Sequence, residues 1–283
     1  MITCNLKGGL GNQLFQIFAT IAYAVQNSKP FGFLDCESLG GNGCSKRYTY
    51  WNSFLSSLKN YTHKTMAQMP ILKEVEEVQF NELKSSEEDP EDLMLDGYFQ
   101  SYKYFQTYFN TICRFIKLEK MREKVLEKYS YNYSDISMHF RLGDYKNLTY
   151  YHPVLGYEYY EKAMDYIMNN IETSISVDNI NVLYFCEKDD NDDVNKTIER
   201  LHEKFKNVRF IKANDDIEDW EQMLLMSSCK HNIIANSTFS WWGAYFNANP
   251  DKMVCYPNTW FGPGLSNIIT DDLFPHDWHR ITY

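Results

Sequence analysis

The chain has 283 residues, of which 44% are hydrophobic and 16% aromatic, and a formal net charge of −10. That supplies a core for one large or two medium domains and excludes a disordered chain. The acidic balance excludes a general nucleic-acid binder, which needs a basic face against phosphates, yet leaves room for one local cationic pocket.

The chain opens with a predicted strand over about residues 1–6, a turn at Gly8-Gly9-Leu10-Gly11, and a helix from Asn12 to about Gln26. Apolar residues run nearly all round that helix, which predicts burial. PFGFLD suits a buried strand. The acidic run from Ile71 to Asp92, with Pro90 as a breaker, reads as an exposed loop or linker. LMLDGYFQSYKYF predicts a strand that turns at Gly97 into a helix, and FIKLEKMREKVLEKYS a helix closing the first half.

The second half starts at about Asp135 with the strand ISMHF. There follow the helix EYYEKAMDYIMNNI, the strand NVLYFC, the helix DVNKTIERLHEKF, the strand VRFI and the helix DWEQMLLMSSC. A strand at NIIAN then leads into STFSWWGAYF. Strands alternating with helices imply parallel βαβ units with right-handed crossovers. In such open sheets ligands bind beyond the carboxyl ends of the strands. Three unusual stretches stand at predicted strand ends: GGLGNQ, HFRLGD and NSTFSWW.

Each stretch has a plain and a chemical reading. Glycines 8, 9 and 11 can form an ordinary strand-to-helix turn, or bring the amides near Gly11 and Asn12 up to a phosphate at a helix start. There is no third glycine for a dinucleotide fingerprint and no Gly-Lys-Ser/Thr for a P-loop, so alone the stretch reads as a turn. His139 and Arg141 alternate along a strand and share a face, while Phe140 points into the packing. Arg141 can grip a phosphate with two donors; the plain reading is a surface pair with Asp144. Asn236, Ser237, Thr238 and Ser240 offer hydroxyl and amide groups where a strand ends and an aromatic helix begins. Any one of them can be a simple N-cap, whereas several together make an anion cradle. Trp241 and Trp242 read as core.

Asp190-Asn191-Asp192 matches the DxD pattern of manganese-binding glycosyltransferases, but an acidic loop generates that pattern by chance and metal is not expected. The seven cysteines are scattered and never in a CxxC pair, which points to reduced thiols and a cytoplasmic location. No stretch reads as a signal peptide or a membrane span.

Taken in order, GGLGNQLFQ, LDGYFQSYKYF, HFRLGDY, HPVLGYEYY, IIANSTFSWWGAYF and the closing PHDWHRI resemble the α-1,2-fucosyltransferase family of bacteria, animals and some large viruses. The resemblance runs over essentially the whole chain. It implies an α/β fold of GT-B type, two Rossmann-like domains with parallel sheets facing a cleft. Residues 1–132 would form the acceptor side and residues 133–283 the GDP-sugar side. It also implies transfer of L-fucose from GDP-β-L-fucose to a galactose 2-hydroxyl, with inversion and with no metal or other cofactor. The partners implied are a GDP-sugar donor and a galactose-terminated glycan acceptor, with no nucleic acid; peripheral association with a membrane stays open.

On this resemblance Arg141 holds the diphosphate, His139 orients the nucleotide or the arginine, and Asp144 is the nearest carboxylate for a general base. Gly11, Asn12, Asn236, Ser237 and Thr238 supply further donor-side contacts. Leu142 stands where relatives carry a second arginine. Gln222 falls about where an aspartate would read guanine, with Glu221 beside it as a substitute. Two other readings stay open: a related transferase using another GDP-deoxysugar or making another linkage, and a sugar-nucleotide-binding protein without catalysis.

Overall fold

The computed structural model describes residues 1–40, 46–83, 90–131, 134–171 and 180–283. The chain divides into two units, Met1–Met121 with Ile268–Pro275, and Arg122–Asn267 with His276–Tyr283.

The first unit contains β1 (Ile2–Cys4), α1 (Leu10–Gln26), β2 (Phe33–Leu34), β3 (Ser38–Leu39), β4 (Arg47–Tyr48), β5 (Thr62–His63), β6 (Ile71–Lys73), β7 (Leu93–Asp96) and α2 (Phe109–Phe115). α3 (Leu118–Lys128) runs from it into the second unit. Its main sheet has the order β1-β7-β6, with both pairs parallel. The apolar α1 is buried from Leu10 to Ala24 except at Asn12. Its Phe15 and Phe18 rings lie 5.9 and 5.4 Å from Phe105. Each fully buried Phe or Leu contributes about 1.5–3 kcal/mol, so burial of its apolar faces holds α1 in place.

The helix starts at Leu10, two residues before Asn12, with Gly9 as N-cap after a turn in which Gly8 takes φ +81°. A Cβ at Gly8 would come within 2.5 Å of Asn12 Nδ2. Other differences arise where strands are short. PFGFLD contributes only Phe33–Leu34, paired with β5. Ile71–Lys73, read as loop, is a strand beside β7. It lies at the sheet edge with Ile71 56% exposed, so no burial pattern marks it in the sequence. After Gly97 the chain makes tight 3₁₀ turns at Tyr102–Tyr104 and Gln106–Tyr108 before α2 begins. Most of the SSEEDPED run lies outside the described residues.

The second unit contains β8 (Ile136–His139), α4 (Tyr157–Asn170), β9 (Ile180–Phe185), α5 (Asn191–Lys204), β10 (Val208–Lys212), α6 (Asp219–Met226), β11 (His231–Ile233), α7 (Thr238–Tyr245), β12 (Val254–Pro257) and β13 (His279–Ile281). The sheet order is β10-β9-β8-β11-β12-β13, with every pair parallel. From β8 the chain fills one side through β9 and β10, then returns through α6 to place β11 on the other side of β8. That is the doubly wound dinucleotide-binding order, and its switch point lies between β8 and β11. Met138 pairs with Ile233 across it. β12 and β13 were not expected: each is three or four residues long, and Pro257 or the partly exposed His279 and Arg280 interrupts any apolar run.

The units divide at 121/122, whereas the sequence reading put the boundary at 132/133. The later part of α3 is tied to the second unit by Arg122, which donates to Ser227 Oγ at 3.2 Å and the Phe246 carbonyl at 2.5 Å. Residues 268–275 return to the first unit, where Asp272 accepts from Phe80 N–H at 2.9 Å and its carbonyl from Ser101 Oγ at 2.6 Å. All six cysteines among the described residues are free thiols. No helix among them is long and apolar enough to cross a membrane.

Candidate functional site

The carboxyl end of β8 delivers three consecutive side chains with different fates. His139, its last residue, is buried, and its Nδ1 has no hydrogen-bond partner among the described residues. Burial, reinforced by the charge of Arg141, pushes its pKa down to about 3, so the ring is neutral at pH 7. Phe140 turns into the core, 4.1 Å from Tyr160 and 6.3 Å from Tyr184. Arg141 leaves the sheet with its guanidinium paired to Asp144 and Glu187 and 5.0 Å over the Tyr145 ring. Both carboxylates are about half exposed. Leu142 packs in the core, so that backbone position carries no second cation.

The turn after Leu142 depends on Gly143, at φ +36°, whose N–H donates to Asp190 Oδ2 at 2.7 Å. Asp190 is buried and also pairs with Lys146 at 2.8 Å; Asn191 Nδ2 donates to Asp215 at 2.9 Å. The first two residues of the DxD match therefore brace the Arg141 turn and the loop after β10. No group of three His, Cys, Asp or Glu side chains among the described residues is arranged to hold a metal. Asp190→Ala leaves the Gly143 amide without its acceptor and is expected to cost about 1–3 kcal/mol of unfolding free energy in urea melts. Unchanged stability would show that the brace is idle.

From the other side of the switch point comes the segment after β11. Asn236 is buried; its Nδ2 donates to the Pro153 carbonyl at 2.9 Å and the Trp260 carbonyl at 3.2 Å. Its Oδ1 is buried with no hydrogen-bond partner among the described residues. Ser237 caps α7, its Oγ accepting from Phe239 N–H at 3.3 Å, and Thr238 is the first helical residue. The two sides touch. The Phe239 ring lies 5.4 Å from His139, and the Tyr145 hydroxyl donates to the Asn236 carbonyl at 3.2 Å. Trp241 and Trp242 are wholly buried, 5.2 Å apart, and serve as core.

The remaining predicted residues lie elsewhere. Glu221 on α6 is buried, its two oxygens 2.7 and 3.0 Å from Lys128 Nζ, and it accepts from the Tyr129 hydroxyl at 2.7 Å. The hydrogen bonds to Glu221 raise the pKa of Lys128. Glu221 thus closes the contact with α3 rather than presenting an unpaired carboxylate to a base. Gln222 Nε2 donates to the Ile217 carbonyl at 2.8 Å. Gly11 and Asn12 lie in the first turn of α1 in the first unit, where Asn12 Oδ1 accepts from Gln100 Nε2 at 3.1 Å. The first two matched sequence motifs therefore meet inside that unit. Nearby, the Gln16 amide brackets Lys7, accepting from its N–H at 2.9 Å and donating to its carbonyl at 2.8 Å.

Glu187 and Tyr145, the immediate neighbours of Arg141, were not singled out from sequence. The available signal for Glu187 was its place just past the end of β9, the strand beside β8.

The family model described as Glycosyl transferase family 11 matches residues 1–282. The O-antigen biosynthesis glycosyltransferase WbnK of Escherichia coli is 35% identical over 144 residues, 50% of this chain and 44% of that protein. The chain thus spans less than half of that relative's length. An α-1,2-colitosyltransferase of Escherichia coli is 26% identical over 99% of both chains. A galactoside 2-α-L-fucosyltransferase of Caenorhabditis elegans is 24% identical over 99% of this chain and 79% of that one. Among solved structures, E. coli ADP-heptose LPS heptosyltransferase II overlaps 56% of this chain and 42% of its own, with a TM-score of 0.35 and 12% identity, too loose a likeness to add to the fold.

Proposed function

We propose, from the premise that this chain belongs to glycosyl transferase family 11, that it transfers L-fucose from GDP-β-L-fucose to the 2-hydroxyl of a galactose-terminated glycan, with inversion and without a metal. The observation that carries this reading is the placement of Arg141 at the β8/β11 switch point, where the segments after β8 and β11 also hold two buried polar atoms, His139 Nδ1 and Asn236 Oδ1, that have no hydrogen-bond partner among the described residues. Buried polar groups are nearly always paired, so unpaired ones at a ligand-binding position of the fold point to a ligand.

The chemistry follows from the charges. The acceptor oxygen attacks the anomeric carbon on the face opposite GDP, forming the new glycosidic bond. The bond from that carbon to the diphosphate oxygen breaks, and its electron pair leaves with GDP. Negative charge grows on the diphosphate, where Arg141 and the amides capping α7 stabilise it. Arg141 already carries two carboxylates, Asp144 and Glu187. An incoming diphosphate displaces one or both, and a released Asp144 is the base that takes the acceptor proton. Donor binding thereby frees the base.

GDP release from GDP-fucose, measured with and without lactose and with and without EDTA, tests the proposal. Lactose-dependent release that survives EDTA is expected; release abolished by EDTA would refute the metal-free mechanism. A second reading, transfer of colitose from GDP-colitose, is favoured by the 26% identity over 99% of both chains to the colitosyltransferase. The same assay run with both donors decides between them.

A further inference from the structure

Tyr150 and Tyr151 are 61% and 46% exposed, although the loop that carries them is tightly held. The N–H groups of Tyr151 and His152 both donate to the Leu148 carbonyl at 2.8 Å. The Tyr151 and Tyr150 carbonyls accept from Gly262 and Gly264 N–H, each at 2.8 Å. The rings rest on bare glycine: a Cβ on Gly264 would lie 2.7 Å from Cδ1 of both tyrosines. They stand edge to face, 5.3 Å apart at 80°. Leu148, 41% exposed, closes the same loop.

Single exposed apolar side chains are ordinary, but neighbouring rings held together at the surface form a patch of the kind that marks a binding site. Their position says what binds there. The next residue, His152, stacks on Tyr145 at 4.7 Å and 18°, and Tyr145 carries the Arg141 guanidinium at 5.0 Å. Arg141 and His152 thus both lie against the Tyr145 ring, and His152 directly follows Tyr151 in the chain, which puts the tyrosine pair next to the candidate diphosphate site. Tyrosine combines a rigid apolar face with a hydroxyl at its rim, at little cost in side-chain freedom. A pyranose has the matching surface, a face of ring C–H groups bordered by hydroxyls.

We propose that Tyr150 and Tyr151 form a platform for the galactose ring of the acceptor, so that the second unit carries an acceptor subsite beside its donor crevice. The proposal rests on the transferase reading above. It puts part of acceptor recognition outside residues 1–132, where the sequence resemblance places it.

Two measurements test it, one without turnover. In saturation-transfer NMR of the full chain with lactose alone, the wild type is expected to show galactose-ring signals that Tyr150→Ala and Tyr151→Ala lose. In kinetics, both variants are expected to raise the acceptor KM by about tenfold or more while GDP affinity stays within about twofold. Gly264→Ala, which keeps both rings but pushes them off their seat, should raise KM in the same sense, and Tyr151→Phe should retain most of the wild-type value. Equal lactose signals in wild type and alanine variants, or no lactose signal in the wild type, overturns the proposal. A loss of GDP affinity in the variants also overturns it, assigning the platform to the donor. The NMR result stands whichever sugar is transferred, so failure of the platform and failure of the fucose assignment are read separately.

Discussion

Arg141→Ala is expected to lower kcat for sugar transfer by about 10²–10³-fold, the usual cost of removing one pre-aimed donor from a developing anion. Arg141 is the cation nearest the carboxyl end of β8, since Leu142 is in the core and Lys146, further along the turn, pairs with the buried Asp190 and with Asp193. Arg141→Lys should recover only part of the loss, because an ammonium gives a point charge where a guanidinium gives two parallel donors. Full activity in Arg141→Lys would show that charge alone suffices. Full activity in Arg141→Ala would remove the residue from the mechanism. Because Asp144 and Glu187 both pair with the guanidinium in the free protein, loss of Arg141 also leaves their charges uncompensated by it near the site, which adds repulsion to the lost attraction.

The second large effect is on stability in acid. His139 has a folded pKa of about 3, against 6.5 for an ordinary histidine. Below pH 6.5 the unfolded chain takes up a proton that the folded chain refuses. The stabilisation is therefore complete above that pH and is lost progressively as pH falls from 6.5 towards 3. Over the whole window the loss is on the order of 4–5 kcal/mol, and between pH 6.5 and 4.5 about half of it. His139→Gln, which cannot titrate there, should lose less stability across that interval than the wild type, as read from urea melts at both pH values. Other titrating groups are shared by the two proteins and cancel in the difference. Equal pH slopes would mean that His139 is protonated in the folded state.

What the sequence revealed, and what it concealed, follows from the range of the interactions involved. In the second unit the apolar runs of β8 and β9 and the amphipathic α4 and α5 are local patterns, and the structure places them where those patterns lie. The all-round apolar α1 is likewise buried. β6 and β13 escaped because they are short edge strands of mostly exposed or partly exposed residues, and β12 because Pro257 closes its short apolar run. The site shows the same division. His139, Arg141 and the Asn236–Thr238 turn stand out as polar groups at strand ends, a local signal. Glu187 becomes a partner of Arg141 only because β9 lies next to β8, and Glu221 is claimed by Lys128 from 93 residues away. Asp190 carries a DxD pattern in the sequence, while its oxygens hold Gly143 and Lys146, contacts no local pattern announces. Pairings across the sequence decide whether an acidic residue is a reader, a brace or a base.

The most direct test of the central claim is calorimetric binding of GDP and GMP, in EDTA, to the wild type and to Arg141→Ala. If the switch point holds a diphosphate through Arg141, the wild type binds GDP at least about tenfold more tightly than GMP, as expected for a charged hydrogen bond of about 1.5–3 kcal/mol. The variant should lose that preference while retaining weak GMP binding. GDP bound equally well by wild type and Arg141→Ala, or bound only once a divalent metal is added, would contradict the account.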